Sequence, residues 1–276
     1  MKQSDFLTRT LTALVFGFVM IASILLGPLY FGALMLLVVV QGMREFYGLF
    51  HATVSSKARI SGTIIAAAFY LLVFVSNLGW VEERLFWSLP FLLTVPFIIA
   101  MFDKMGNPAL SAGVTLSGIF FVAAPLSLFG SLMLLDFGDT GISGKAFLLI
   151  FLVVLWTYDS FAYIIGSRIG KHKLFKRLSP GKSWEGGIGG LICGLFATWI
   201  ISNLYSGISL ANWLVIAFMI MVFGTLGDLI ESMFKRNAGV KDSGKLLPGH
   251  GGVLDRFDAV LLAAPAVYMY LVLIVL

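Results

Sequence analysis

The stretch LANWLVIAFMIMVFGTLGDLIESMFKR, residues 210–236, begins with a long apolar run and ends with two acids and two cations. A transmembrane helix needs about 20 mostly apolar residues, so residues 210–234 predict a membrane span. The rest of the chain is similar in character, because 59% of its 276 residues are hydrophobic and only 12% are charged. Soluble domains carry about twice that share of charge. We therefore predict an integral membrane protein.

Apolar runs recur along the chain and predict an all-α, polytopic membrane protein with about nine transmembrane helices. The candidate spans are residues 11–28, 30–50, 60–80, 85–102, 112–135, 146–166, 187–206, 210–234 and 257–276. The first span could instead be part of a signal peptide, but no clear cleavage site follows it, which favours a retained helix. The single cysteine, Cys193, lies in an apolar run and excludes an internal disulfide.

The positions of the cations predict the orientation of these spans. If the N-terminus is cytoplasmic, all of the 19 Lys and Arg residues except Arg84 and Lys145 fall on the cytoplasmic side. This asymmetry follows the positive-inside rule. We predict a multi-pass protein of the inner (plasma) membrane, with its N-terminus in the cytoplasm and its C-terminus outside. Basic loops beside anionic lipid headgroups explain the excess positive charge, so we predict no nucleic-acid partner.

Two regions differ in the chemistry they carry. Residues 1–145 contain about five spans with short loops and few polar groups. Residues 146–276 contain about four spans, with acids inside them and two long, basic, glycine-rich loops on the cytoplasmic side. We expect the active site in this second region, between the C-terminal helices and the cytoplasmic loops.

Two acids lie well inside predicted spans. Asp159 is seven residues before Gly166, and Asp228 is eight residues before Arg236. An ionised acid in a span costs about 2.5–3.5 kcal/mol on insertion scales, so such residues normally face a polar cavity and carry function. A structural contact between helices remains the alternative for Asp159. Glu231 and Ser232 share the helical face of Asp228 at i+3 and i+4.

The tetrapeptide DRFD opens the last span and contributes two more carboxylates. Asp255 and Asp258 are three residues apart and would project from one face of a helix. Together with Asp228 they predict a three-carboxylate site for Mg²⁺, which binds through hard oxygen ligands and substrate phosphates. A second cation is left open. Alone, the DxxD pattern could equally reflect acids near the positive end of a helix dipole.

The loop between these acids is rich in cations and glycines. Lys235, Arg236, Lys241, Lys245 and Arg256 could neutralise a polyphosphate. The sequence GVKDSGKL nearly matches a Walker A loop, but Leu246 replaces the Mg²⁺-binding hydroxyl and no β-strand precedes it, which excludes that interpretation. His250 could bind a phosphate, transfer a proton or fill the turn, and a phosphate contact is the preferred interpretation.

The other cytoplasmic loop contains SPGKSWEGG, residues 179–187, directly before a span. A cation, two hydroxyls, an acid and glycines here predict a second wall for a phosphate-rich ligand, formed by Ser179, Lys182, Ser183 and Glu185. Trp184 could instead be an interfacial anchor.

The stretch SMFKRNAGVKDSGKLLPGHGGVLDRFD, residues 232–258, resembles the signature of the phosphatidate cytidylyltransferases at every position, and Asp159 and SPGKSWEG resemble that family's companion motifs. The resemblance implies conversion of CTP and phosphatidate to CDP-diacylglycerol and diphosphate on the cytoplasmic face, with Mg²⁺, in a homodimer embedded in membrane lipids. It implies catalytic roles for Asp228, Lys241, Asp242, Asp255 and Asp258. It implies substrate-binding roles for Asp159, Ser179, Lys182, Ser183, Glu185, Lys235, Arg236, His250 and Arg256.

Other functions fit the sequence less well. A CTP-dependent lipid kinase of the dolichol-kinase type would also use CTP but transfer its γ-phosphate. A CDP-alcohol phosphotransferase needs an acid-rich motif that the chain lacks. An ion transporter could also use intramembrane acids, but its usual inverted repeat is not recognisable here.

Overall fold

The computed structural model of the protein describes residues 3–103, 107–205 and 207–276. Lys2 and Lys104, two of the cations that predict the orientation, lie outside these residues, as does the side chain of Arg9. The α-helices are α1 (Gln3–Leu26), α2 (Pro28–Leu49), α3 (Ser56–Asn77), α4 (Leu89–Met101), α5 (Pro108–Gly118), α6 (Ala124–Leu132), α7 (Gly144–Ile169), α8 (Trp184–Ser202), α9 (Leu210–Asn237), α10 (Leu254–Phe257) and α11 (Val260–Tyr270). Two short strands, β1 (Lys173–Phe175) and β2 (Ser179–Ser183), form an antiparallel hairpin.

The described residues contain eight segments long and apolar enough to cross a membrane, together with a shorter apolar helix over Thr10–Leu26. This arrangement confirms the prediction of an all-α polytopic membrane protein with about nine helices. The outward faces of these helices expose large apolar side chains, such as Phe18 and Phe91. A lipid environment stabilises such faces, whereas water would not.

Two of the predicted spans are interrupted helices. A π-helical segment, Ile119–Ala123, joins α5 to α6 just before Pro125. Proline lacks an N–H and crowds the preceding turn, and a π-bulge is a common way to absorb that change.

In the last span, Asp258 and Ala259 form a turn between α10 and α11. The regular helical spacing assumed for Asp255 and Asp258 therefore does not apply.

The chain divides into two compact units, and the first comprises Met1–Leu134 with Asn237–Phe257. Its core is aromatic, with Phe31, Phe46, Tyr70 and Phe129 almost completely buried. The Tyr47 hydroxyl donates a hydrogen bond of 2.9 Å to a backbone carbonyl of α5, so this buried phenol is satisfied. The basic loop after α9 thus belongs to the same compact unit as the N-terminal helices.

The second unit comprises Leu135–Arg236 with Asp258–Leu276. Its helices α7 and α8 pack closely at two glycines four residues apart on α8, Gly186 and Gly190. A Cβ on Gly186 would lie 2.6 Å from the Ala162 carbonyl oxygen, and one on Gly190 would lie 2.8 Å from the Tyr158 carbonyl oxygen. Small residues let membrane helices approach in this way. This division into two compact units does not test the predicted boundary between residues 1–145 and residues 146–276.

Candidate active site

Acidic side chains gather on the C-terminal half of α9, in the second unit. The Ser232 hydroxyl donates to Asp228 Oδ1 at 3.2 Å, and the Lys235 ammonium contacts Glu231 Oε2 at 2.5 Å. Both contacts join residues four apart, as the helical period requires. Glu231 is fully buried and Lys235 is 7% exposed, so this ion pair is shielded from solvent. The shared face predicted for Asp228, Glu231 and Ser232 is confirmed.

Asp258 completes a cluster of three carboxylates. One oxygen each from Asp228, Glu231 and Asp258 lies within 4.8 Å of the others, the one group of this kind with metal-ligating potential among the described residues. The close approach depends on Gly227, because a Cβ there would overlap the carbonyl oxygen of Asp258. We call Asp228, Glu231 and Asp258 the acidic cluster.

A lysine from the β-hairpin contacts the acidic cluster. Lys182 Nζ lies 2.5 Å from Asp228 Oδ2, and both side chains are about a quarter to a third exposed, at 30% and 25%. Burial by itself would lower the pKa of the Lys182 ammonium, because it disfavours charge. The charge and hydrogen bond of Asp228 outweigh burial and raise that pKa above its usual value, with smaller contributions from Asp258 and Asp159. The lysine therefore stays charged.

A cavity of about 260 Å³ opens beside Lys182. Asp159 lines it and is itself exposed, as expected of an intramembrane acid that faces a polar space. The Tyr158 hydroxyl and the Thr225 hydroxyl are 2.6 Å apart at its wall, linking α7 to α9. The other polar lining residues are Tyr163, Ser167, Ser179, Lys182 and Ser183. The structure thus brings three of the predicted substrate-binding residues of this loop, together with Asp159, to one cavity.

Two residues of the SPGKSWEGG stretch have clear local roles. Ser183 is the N-cap of α8, and its hydroxyl accepts the Gly186 N–H at 3.2 Å. The Glu185 carboxylate accepts the backbone N–H groups of Lys171 and His172 at 3.1 Å each, and contacts the His172 ring at 2.6 Å. These contacts tie the start of α8 to the start of the hairpin. They explain the residue types without reference to a ligand.

In the first unit, the basic loop encloses a cavity of about 460 Å³. Three cations line it, Lys241, Lys245 and Arg256, and all three are exposed. Asp242, His250 and several glycines complete the lining. Gly249 has φ of +74°, a backbone conformation that favours glycine. A cation-rich, glycine-lined concavity of this kind can bind an anion such as a phosphate.

Glu45, on α2, holds the other end of this loop and was not singled out from the sequence. It is only 6% exposed, and its carboxylate accepts the backbone N–H groups of Val253 and Leu254 at 3.0 and 2.8 Å. The Ser243 hydroxyl at 3.3 Å and the Gln41 amide at 2.9 Å donate to the same group. The sequence does contain a signal for Glu45, because a single acid inside a predicted span is unusual. The composition of the surrounding region is otherwise unremarkable, so the acid did not stand out.

The glycines of the loop make room for carboxylates of the protein itself. A Cβ on Gly244 would lie 2.6 Å from Glu45 Oε1, and one on Gly251 would lie 2.5 Å from Asp255 Oδ2. Asp255 accepts the Ser243 N–H at 2.9 Å and the Gly252 N–H at 2.7 Å. Asp255 thus shapes the loop within the first unit. Its predicted part in metal binding stays a prediction.

The acidic cluster has the chemistry expected of a divalent-cation site. Its three carboxylates supply hard oxygen donors, which suit Mg²⁺. Like charges this close repel one another unless a cation lies among them, and Lys182 and Lys235 each offset part of that repulsion. The donor set therefore fits Mg²⁺. It includes Glu231 beside the predicted ligands Asp228 and Asp258, and the predicted ligand role of Asp255 stays a prediction.

The chain is similar in sequence to known proteins of one family. The sequence profile described as "Cytidylyltransferase family" matches residues 7–274. The chain is 34% identical over 270 residues to the phosphatidate cytidylyltransferase of Staphylococcus saprophyticus, covering 96% of this chain and 98% of that protein. It is 32% and 31% identical to the proteins of the same name in Staphylococcus haemolyticus and Staphylococcus aureus, with the same coverage.

Proposed function

Because this chain belongs to the cytidylyltransferase family and is therefore a CTP-utilising nucleotidyltransferase, we propose that its lipid substrate is phosphatidate. The reaction is CTP + phosphatidate → CDP-diacylglycerol + diphosphate, a step of phospholipid biosynthesis. The names of the staphylococcal relatives support this choice of substrate. The acidic cluster with Lys182 at its edge is the structural observation that carries the proposal.

The chemistry requires little acid–base catalysis. An anionic phosphate oxygen of phosphatidate attacks the α-phosphorus of CTP, a new P–O bond forms, and the bond to the β-phosphate breaks as diphosphate leaves. The nucleophile is already ionised, so the protein must mainly orient two anionic substrates and neutralise their charge. The charged ammonium of Lys182, fixed on a hairpin by the contact with Asp228, is suited to that task.

We assign Asp228, Glu231 and Asp258 as the groups that would hold Mg²⁺. When bound, the ion would supply Lewis-acid polarisation and charge neutralisation at phosphate oxygens. Ser232 orients Asp228 by donating to its Oδ1, and Lys235 holds Glu231 in place. A second cation at the same carboxylates remains part of the hypothesis.

The remaining assignments rest on the sequence resemblance as well as on local geometry. Lys241, Arg256 and His250 line the cation-rich cavity of the first unit, and we assign them to phosphate groups of the substrates, with Asp242 shaping that cavity. Asp255 supports the same loop by accepting the Ser243 and Gly252 N–H groups, and its predicted catalytic and metal-binding role stays part of the proposal. We assign the residues Asp159, Ser179, Lys182 and Ser183 of the cavity beside Lys182 to substrate binding. Arg236, exposed at the end of α9, and Glu185, which lies outside that cavity, keep the same assignment from the resemblance.

A radiolabel experiment tests the reaction directly. The purified protein is incubated with phosphatidate and CTP labelled at the α-phosphorus or, in parallel, at the γ-phosphorus. We expect label in the lipid only from the α-labelled nucleotide, and none when a chelator removes divalent cations. Transfer of the γ-label would instead indicate a lipid kinase and overturn the proposal.

The setting of the site is also a proposal. We place the N-terminus and the site on the cytoplasmic side of the inner membrane and the C-terminus outside, because of the distribution of cations. Reporter fusions at the two termini should give opposite responses.

A homodimer follows from the resemblance, and the mass of the detergent-solubilised protein measured by light scattering would test it.

A further inference from the structure

A separate cavity of about 530 Å³ lies in the first unit, between the end of α2 and the start of α3. Its volume is within the range of about 300–1,000 Å³ that is typical of small-molecule sites. Its lining residues are Val40, Arg44, Tyr47, Ser56, Arg59, Ile60, Thr63 and Ile64. None of these residues has a role in the proposed reaction.

The charge of this cavity is uncompensated. Arg44 and Arg59 form no ion pair among the described residues, and no acid lines the cavity. Arg59 Nη2 donates to the Ser56 hydroxyl at 3.0 Å, but its Nε is buried and has no hydrogen-bond partner in the described part of the chain. A buried N–H without an acceptor is costly. An anion would satisfy it.

The two arginines of the cavity lie nearer the helix ends than the apolar residues Val40 and Ile64, although Ile60 adjoins Arg59 and Thr63 adjoins Ile64. Arg44 lies five residues before the end of α2, and Arg59 lies three residues after the start of α3, so both are within roughly 8 Å of the helix ends. Val40 and Ile64 lie further along the same helices, and Ile64 is 63% exposed. A phospholipid has a matching arrangement, because its phosphate lies at the membrane interface and its hydrocarbon chains lie below it.

We propose that this cavity binds an anionic glycerophospholipid of the bilayer. The two arginines hold the phosphate, which Arg recognises through paired N–H donors, and the acyl chains lie along Val40, Ile60 and Ile64. The positive end of the α3 dipole adds to the attraction. This lipid is a ligand of the N-terminal helices, so the inference does not depend on the proposed reaction.

The test measures lipid retention by the full-length protein in detergent, using native mass spectrometry with phosphatidylglycerol as the probe. This lipid carries one phosphodiester and is not a substrate of the proposed reaction. We expect the double variant Arg44→Gln, Arg59→Gln to bind it about tenfold more weakly or worse, because two charge-assisted contacts are lost. Lys57→Gln is the matched control: Lys57 is an exposed cation in the same turn as Arg59 but does not line the cavity, and its removal should leave binding unchanged.

Two further measurements keep the result interpretable. Arg59→Lys keeps the charge but removes the Nε–H donor, and we expect it to weaken binding about threefold or more even if the double variant folds poorly. Zwitterionic phosphatidylcholine should bind far more weakly than phosphatidylglycerol, and soluble glycerol 3-phosphate should not compete. Equal retention by Arg59→Lys and the unaltered protein, equal binding of the two lipids, or full competition by glycerol phosphate would each overturn the inference.

Discussion

Glu45 and the acidic cluster are two carboxylate sites within the membrane spans of this protein, and they are stabilised in different ways. Glu45, in the first unit, is a single acid whose oxygens accept two backbone N–H groups, a hydroxyl and an amide. In the second unit, the acidic cluster places three carboxylates within 4.8 Å of one another and meets them with two lysines. Neutral hydrogen-bond donors stabilise Glu45, whereas the positive charges of two lysines stabilise the acidic cluster.

The difference separates structural from functional acids. Backbone donors fix a carboxylate in one geometry and leave it little capacity for a ligand. Mutual repulsion among three carboxylates, in contrast, works against folding and has no evident structural benefit. Such an arrangement is expected where a protein must bind a cation or orient charged substrates. The comparison can be tested by disrupting each site and measuring both activity and stability.

The largest effect is expected from Asp228→Asn. This change removes one charge from the acidic cluster and the ionic partner of Lys182, so we expect CTP-dependent product formation to fall about a thousandfold, roughly 4 kcal/mol of transition-state stabilisation. The thermal unfolding midpoint should hardly change. Asp139→Asn, at an exposed acid of the second unit, is the control and should keep full activity. Near-normal turnover by Asp228→Asn would contradict the assignment.

Glu45→Ala should have the opposite profile. Two buried N–H groups, of Val253 and Leu254, would lose their acceptor, at a cost of about 2–4 kcal/mol. We expect a clear drop in the unfolding midpoint in detergent, and faster proteolysis within residues 241–252. If the midpoint stays that of the unaltered protein while activity is lost, then Glu45 is a functional acid and the contrast drawn here is wrong.

Gly227→Ala and Gly224→Ala form a matched pair on α9. At Gly227 a methyl group would overlap the Asp258 carbonyl, whereas at Gly224 it would lie 3.2 Å from a flexible Leu155 methyl. Displacing Asp258 from the acidic cluster should lower activity about 10- to 100-fold, and Gly224→Ala should stay within about twofold of normal. Equal effects of the two changes, measured as kcat with both substrates saturating, would argue against a role for the Asp258 position.

The smallest effect is expected from Gln41→Ala. Its amide donates one hydrogen bond to Glu45 Oε1, and its loss should cost about 0.5–1.5 kcal/mol of stability. In the Glu45→Ala background the same change should cost almost nothing, because the acceptor is already gone. Additive losses in this double-mutant cycle would show that Gln41 stabilises the protein by some other contact.

Much of the fold follows from hydropathy. Every predicted span has a helix close to its predicted range, because about 20 apolar residues have few alternatives to a membrane helix. The shared face of Asp228, Glu231 and Ser232 was also predictable, because helical spacing fixes it. The predicted substrate-binding residues Asp159, Ser179, Lys182 and Ser183 line one cavity, which the sequence suggested only as separate motifs.

Other features depended on contacts distant in sequence. The β-hairpin is only three and five residues long on its two strands, too short for an alternating pattern to be recognised. Glu45 is paired with N–H groups about 200 residues away, and no local signal reveals such partners. The turn at Asp258 interrupts an apolar run without a proline or glycine at the break, so uniform helical spacing was the natural expectation.

The bond between Glu45 and the basic loop also bears on how the polypeptide can be dissected. The stretch that carries the family signature lies in the last half of the chain, yet part of its scaffold is supplied by a helix that ends at Leu49. A shortened protein beginning near residue 146 would lack the acceptor that organises Val253 and Leu254. The N-terminal helices thus supply part of the scaffold of the basic loop and are not a detachable anchor.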